Sequence, residues 1–296
     1  MPKELDFDFF SPEQAIDLPL SLQNDVKITV KRDDLIHPFI SGNKWRKLKH
    51  TLIRAKAEDK PHLVTFGGNW SNHVLATACA AASFGFQATA YIRGDQVENP
   101  LLSLCRLYGM KLCFVDRSAY RDKNALFNRH HGEESGAFFI DEGGYSPDGA
   151  RGCEEMVAEL KGRYDHIFVA CGTGTTLAGI SYSAAQYQPQ AIVHGIPVLK
   201  GGQFIQSAAN SLYPTAQFTL HTDYHFGGYA RSTPQLIDFI KQFVSNTGML
   251  IEPVYTGKLF YAVNDLAGQK YFRRGEHVLI VHSGGLTGFL GQTSKF

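Results

Sequence analysis

The stretch His166-Ile167-Phe168-Val169-Ala170 runs into Cys171-Gly172-Thr173-Gly174-Thr175-Thr176 and then into Leu177-Ala178-Gly179. The first part is a short apolar run of the kind that a buried parallel strand produces. Glycine and threonine then alternate, and a helix-like segment follows. In such a unit the glycines let consecutive N–H groups converge. The hydroxyls add donors, and the helix N-terminus adds positive potential. This chemistry holds a phosphate. No Gly-Lys-Ser/Thr completes a P-loop, and the third glycine of a dinucleotide fingerprint is misplaced. The next strand region, Ala191-Ile192-Val193-His194, offers no acid for a ribose hydroxyl. A smaller phosphorylated cofactor or substrate is expected.

Working outward, further short apolar runs read as strands: Leu63 to Phe66, Ala88 to Ile92, Lys111 to Val115, Ala191 to Ile196 and Val278 to Val281. Trp70 to Ala82, Leu101 to Tyr108 and Gly149 to Leu160 read as helices between them. The alternation predicts an α/β protein with parallel sheet. Glycine clusters stand where strands end: Gly67-Gly68 after Phe66, Gly143-Gly144 after Ile140, Gly172 to Gly174 after Ala170, and Gly284-Gly285 after Val281. Ligands of open α/β sheets bind outside the carboxyl ends of strands. One such cluster is a tight turn; four together predict a site.

The chain has 296 residues, with 29 Lys plus Arg against 28 Asp plus Glu, a formal charge of +1. That balance argues against a nucleic-acid surface or a polybasic membrane patch. A hydrophobic share of 44% excludes a disordered chain. Glycine also numbers 29, about a tenth of the chain against a usual ~7%, without a collagen period. The five cysteines (79, 105, 113, 153 and 171) are odd in number and lack CxxC spacing, so a reduced, cytoplasmic setting is expected. Met1 to Phe10 lacks the pattern of a signal peptide. Ala76 to Ile92 reads as a packed helix running into a strand, not as a membrane span. His130 and His131 beside Glu133 and Glu134 lack helical ligand spacing, so a solvated loop is expected there and no metal.

A second signal is Lys44, in Ser41-Gly42-Asn43-Lys44-Trp45-Arg46-Lys47-Leu48. A lysine in a partly desolvated pocket has a lowered pKa and can attack an aldehyde to form a Schiff base. Pyridoxal 5'-phosphate needs both such a lysine and a phosphate cup. Residue types alone leave this one option among several.

Lys31-Arg32-Asp33-Asp34 together with Gly42 to Leu48 resembles the lysine region of the D-cysteine desulfhydrase / 1-aminocyclopropane-1-carboxylate (ACC) deaminase family of pyridoxal-phosphate enzymes. Gly67-Gly68-Asn69-Trp70-Ser71-Asn72-His73 resembles that family's Ser-Asn-His loop. Glu142-Gly143-Gly144, Thr173 to Thr176, Pro253-Val254-Tyr255-Thr256-Gly257-Lys258 and His282-Ser283-Gly284-Gly285 resemble its later motifs, in order along nearly the whole chain. The resemblance implies a tryptophan synthase β-like fold, fold type II. Two open, twisted, mostly parallel sheets are then expected: a large domain of residues 1–46 and 150–296, and a small inserted domain of 47–149. It implies that Lys44 binds the cofactor covalently and moves the Cα proton, and that Asn72 meets the phenolic oxygen. Thr173, Gly174, Thr175 and Thr176 would hold the phosphate. Ser71 would meet the substrate carboxylate, Tyr255 would stack on the ring, and Tyr229 would stand near the substrate. Thr256 and Ser283 would also line the cofactor. Ser71 reads equally as a helix cap, Tyr229 as a turn residue, and Lys47 as either a site or a surface residue.

ACC deaminases typically place Glu after the stacking Tyr and Leu between the His and the Gly-Gly. Here Thr256 and Ser283 stand instead, as in the desulfhydrase branch. Trp70 replaces a usual Gln, Val74-Leu75 replaces more polar residues, and the chain is contracted between Ile196 and Tyr229. The expectation is a lyase that eliminates a β leaving group from a small amino acid, D-cysteine first, giving pyruvate, sulfide and ammonia. ACC deaminase is the near alternative, and a pyridoxal-phosphate-binding regulatory protein without lyase activity is a more distant one. Enzymes of this kind are commonly homodimers, so a homodimer is expected, with no nucleic-acid or membrane partner.

Overall fold

A computed structural model describes residues 9–40 and 42–296. The expectations for residues 1–8 and for Ser41 lie outside the described residues. The strands are β1 (Glu13–Ile16), β2 (Lys27–Lys31), β3 (His62–Gly67), β4 (Gln87–Arg93), β5 (Lys111–Val115), β6 (Ala137–Ile140), β7 (His166–Cys171), β8 (Ile192–Pro197), β9 (Thr219–Leu220) and β10 (His277–Val281). The helices are α1 (Pro19–Gln23), α2 (Asn43–Ala57), α3 (Asn72–Phe84), α4 (Pro100–Leu107), α5 (Lys123–His131), α6 (Pro147–Ala158), α7 (Thr175–Tyr187), α8 (Phe204–Leu212), α9 (Pro234–Thr247) and α10 (Thr256–Gly268).

Two sheets result, one ordered β1-β2-β10-β7-β8-β9 and the other β5-β4-β3-β6. All pairings are parallel except β1 with β2. The fold is the α/β arrangement of two mostly parallel sheets that the sequence predicts. The four-stranded sheet uses only residues between 62 and 140, and the six-stranded sheet draws on chain from either side of it. Residues of β7 and β10 such as Phe168, Val169, Leu279 and Ile280 are fully buried, because helices cover both faces of a parallel sheet.

The strand orders locate the ligand crevice. In the six-stranded sheet the chain leaves β7 toward β8 and β9, while β10 returns on the other side of β7. In the four-stranded sheet it leaves β3 toward β4 and β5, while β6 returns on the other side of β3. Each sheet therefore has a topological switch point, β7/β10 and β3/β6, where adjacent loops diverge and open a crevice. The four glycine clusters are the loops after these four strands.

Three helices fix the crevice's width. Gly152 of α6 lies so close to α2 that a Cβ there would fall 1.8 Å from the Arg46 carbonyl oxygen. A Cβ on Gly179 of α7 would fall 2.3 Å from the Ala150 carbonyl oxygen of α6. Small residues thus let α2, α6 and α7 pack backbone to backbone. A buried ion pair reinforces the seam: Arg46 donates to Asp33 at 2.6 and 2.8 Å and to Glu159 at 2.9 and 2.8 Å. Expected helix Trp70 to Ala82 begins at Asn72, because the Ser71 hydroxyl caps it by accepting from the Val74 N–H. Among the described residues no helix is long and apolar enough to cross a membrane.

Candidate active site

The start of α2 carries the lysine, and two features of sequence set it there. Gly42 precedes the helix at φ +59, and a Cβ on it would lie 1.8 Å from the Ser283 carbonyl oxygen. Only glycine meets both demands. The Asn43 N–H donates to that same Ser283 oxygen at 3.2 Å, so the loop after β10 is the seat on which α2 begins.

Lys44 opens onto a cavity lined by Asn43, Lys47, Gly143, Gly172, Thr173, Gly174, Thr176 and Tyr255. These residues come from α2 and from the loops after β6 and β7, so the two switch points face one another. Asn43 joins them: its Nδ2 donates to Thr176 Oγ1 at 3.0 Å, and its Oδ1 accepts from Lys44 Nζ at 2.8 Å. Burial, and next the charge of Lys47, bring the Lys44 ammonium from 10.5 down to about 7. Lys47 is buried too, its pKa lowered mainly by desolvation, and its Nζ donates to the Gly143 carbonyl at 3.0 Å. No Asp or Glu lines this cavity among the described residues. A half-buried and a buried amine with no carboxylate in the cavity lining, only the more distant pull of Glu252 on Lys44, favour an anion there.

The anion cup is the loop after β7. Gly174 caps α7 at φ 86, turning the first N–H groups of that helix toward the cavity end. Thr173 and Thr176 line the cavity, and Thr175 is fully buried with its Oγ1 3.1 Å from that of Thr173. Across the cavity, the Tyr255 ring lies against Gly172, where a Cβ would come within 3.3 Å of it.

His73 adds a buried, neutral imidazole. Thr65 Oγ1 donates to the Ile140 carbonyl, so His73 Nε2–H donates to Thr65 Oγ1 at 2.9 Å. The His73 Nδ1 is then a buried acceptor with no hydrogen-bond partner among the described residues. Burial, then the charges of Lys44 and Lys47, hold its pKa well below 6.5.

Of the residues predicted from sequence, Lys44, Thr173, Gly174, Thr176 and Tyr255 line one cavity, with Thr175 behind them. Ser71, Asn72, Tyr229, Thr256 and Ser283 do not line it. Ser71 caps α3, and Asn72 Oδ1 accepts from Thr287 Oγ1 at 2.7 Å. Tyr229 is half-exposed, its hydroxyl 3.5 Å from that of Tyr255. Thr256 is fully buried, and its Oγ1 accepts from the Glu252 N–H at 2.9 Å. Ser283 contributes the carbonyl under α2. Lys47, ambiguous in sequence, belongs to the cavity.

Sequence reasoning missed three residues. Asn43, the bridge between lysine and phosphate loop, was visible only as the neighbour of Lys44. Glu252 accepts from the N–H groups of Val254, Tyr255 and Thr256 at 2.7, 2.7 and 2.9 Å, which fixes the turn that carries Tyr255. Burial pushes its carboxyl above 4.5 against the pull of those bonds. A carboxylate just before a helix start was the available signal. Lys258, fully buried, donates to the carbonyls of Val198, His225 and Gly228 at 2.9, 2.8 and 2.8 Å and so fixes the loop bearing Tyr229.

Known proteins resemble this chain along most of its length. The model of the family described as pyridoxal-phosphate dependent enzyme matches residues 14–284. A D-cysteine desulfhydrase of Klebsiella pneumoniae is 30% identical, the alignment covering 88% of this chain and 87% of that protein. The mitochondrial bifunctional D-cysteine desulfhydrase/1-aminocyclopropane-1-carboxylate deaminase of Arabidopsis thaliana is 29% identical, covering 96% and 78%. A crystal structure of an ACC deaminase homologue superposes with a TM-score of 0.88 at 29% identity, covering 99% of this chain and 94% of that one.

Proposed function

The chain belongs to the pyridoxal-phosphate-dependent enzyme family, and from that premise we propose that it eliminates a β leaving group from a small amino acid, with D-cysteine as the first substrate to test. Pyridoxal phosphate is its cofactor, and the relatives place it in the ACC deaminase/D-cysteine desulfhydrase group.

The donor set fits this cofactor. Lys44, whose ammonium is brought down to about 7, would hold its aldehyde carbon. Thr173, Gly174 and Thr176, with the first N–H groups of α7, would hold the phosphate. Tyr255, braced by Glu252, would face the ring. When bound, pyridoxal phosphate supplies an electron sink for a bond broken at the amino acid's Cα. This chain's residues do the rest. With a pKa of about 7, the Lys44 amine is partly deprotonated near neutrality, so it can accept a proton at the substrate Cα and give it back. Lys47 is held beside it at the Gly143 carbonyl.

The observation that carries the choice of reaction is the cavity's lack of a carboxylate. Thr256 follows Tyr255 and spends its hydroxyl on the Glu252 N–H. The Glu252 carboxylate is itself occupied by three backbone N–H groups. A ring nitrogen with no acid beside it stays largely neutral. That state suits departure of a good leaving group better than opening of an unactivated cyclopropane. The test is keto-acid and ammonia release from D-cysteine, L-cysteine and ACC by the purified holoenzyme. The reading expects turnover of D-cysteine with sulfide release and little or none of ACC. Preference for ACC would replace it with the deaminase. No turnover of any amino acid, with cofactor bound, would replace it with a binding protein.

A further inference from the structure

At the opposite edge of the four-stranded sheet, away from the glycine loops, three side chains distant in sequence converge. His62 is the first residue of β3, His131 the last of α5, and Glu134 stands in the turn between α5 and β6. Their potential ligand atoms all lie within 4.8 Å of one another. His62 Nδ1 is 2.6 Å from Glu134 Oε1, and His131 Nδ1 is 2.7 Å from Glu134 Oε2. The two rings thus present the same nitrogen to the two oxygens of one carboxylate. They stand edge to face, with centroids 5.2 Å apart.

The far side of each ring is also held. His62 Nε2 is 2.8 Å from Thr89 Oγ1, and His131 Nε2 is 3.2 Å from the Tyr91 hydroxyl. Thr89 and Tyr91 are two residues apart on β4, so both hydroxyls project from one face of the sheet. The imidazoles are only 13% and 10% exposed, whereas the Glu134 side chain is 42% exposed. Two rings oriented from behind, with an exposed carboxylate in front, are the arrangement that a cation site needs.

We propose that His62, His131 and Glu134 form a binding site for one divalent transition-metal ion of the zinc class, coordinated by the two Nδ1 atoms and the Glu134 carboxylate. Two imidazoles and one carboxylate suit zinc, with solvent completing the coordination. Each ring coordinates as the tautomer with its proton on Nε2, donating to Thr89 Oγ1 or to the Tyr91 hydroxyl. Ligand bonds of about 2.0–2.2 Å require the present nitrogen–oxygen pairs to open slightly, which the exposed Glu134 permits. The site lies at the amino ends of the strands, while the lysine cavity lies at their carboxyl ends. Its effect is therefore to staple β3 to the α5–β6 connection, outside the chemistry.

The test uses holoenzyme stripped of metal with a chelator and titrated with zinc chloride by calorimetry, with cobalt(II) absorption as a second probe. The expected result is saturation at about one ion per chain with a rise in the thermal midpoint, because an ion bound only by the folded state stabilises it. His131→Ala and Glu134→Gln should each weaken binding by at least about tenfold and remove the thermal response. Should His131→Ala fail to fold, Glu134→Gln, altering a partly exposed carboxylate, carries the test alone. Lack of saturable binding in the wild type, or binding unchanged in Glu134→Gln, would overturn the site.

Discussion

Lys44 and Lys258 stand in the first turns of two different helices, two residues after Gly42 and directly after Gly257, and both are shifted downward by burial, to about 7 and about 8. Their surroundings separate them. Lys258 has three carbonyl acceptors, one for each proton of its ammonium. It is a structural cation that ties the end of β8 to the 225–228 loop. Among the described residues Lys44 has one side-chain acceptor, Asn43, and it opens onto a cavity. A depressed pKa therefore does not by itself mark a chemical lysine. Unspent hydrogen-bonding capacity beside open space does.

The largest effect expected is on that contrast. Lys44→Ala should remove the visible cofactor band and lower turnover by at least about a thousandfold, while far-ultraviolet circular dichroism stays unchanged. Lys258→Met should do the reverse in kind. It strips three buried carbonyls of their donor and should cost about 3 kcal/mol in denaturant unfolding. An unchanged midpoint in Lys258→Met would break the comparison. Gly42→Ala sharpens it from the backbone side. A Cβ 1.8 Å from the Ser283 oxygen at φ +59 should cost about 2–3 kcal/mol and weaken cofactor retention, since α2 would lose its seat. Ser71→Ala should cost only about 1 kcal/mol through the lost cap of α3. A much larger loss in kcat/KM than in stability would assign Ser71 to the substrate as well.

The smallest effect is in the pH dependence of the cofactor-free protein. Lys44 has a folded pKa of about 7 against 10.5. Below about 7 both folded and unfolded chains carry the proton, and the burial penalty is complete. Between the two values the unfolded chain binds more protons, so stability rises with pH. Lys44→Met should therefore unfold at a higher temperature than wild type at pH 7. The gap should close toward pH 10, as followed by thermal scans.

The sequence made the loops legible because strand-end glycines are local signals: the phosphate loop, the start of α2 and the Gly67–Gly68 turn need only neighbours to be read. It did not make legible which strands sit side by side. The meeting of the loops after β6 and β7 in one cavity depends on strand order. Glu252 and Lys258 were hidden for a different reason: their roles lie in the backbone groups they hold rather than in any side-chain motif. Thr256 shows the converse error of expecting every motif residue to face the cofactor, because the helix start needed its hydroxyl first. His62 joins His131 and Glu134 only across 72 residues of chain, so no local spacing announced it.

The central claim is that Lys44, and neither Lys47 nor Lys258, is the amine that carries the cofactor. Borohydride reduction of the coloured holoenzyme, followed by peptide mapping by mass spectrometry, tests it directly. The account predicts a reduced pyridoxyl group on Lys44 and none on the other two. A label on Lys47 or Lys258, or a colourless protein that pyridoxal phosphate cannot reconstitute, would contradict it.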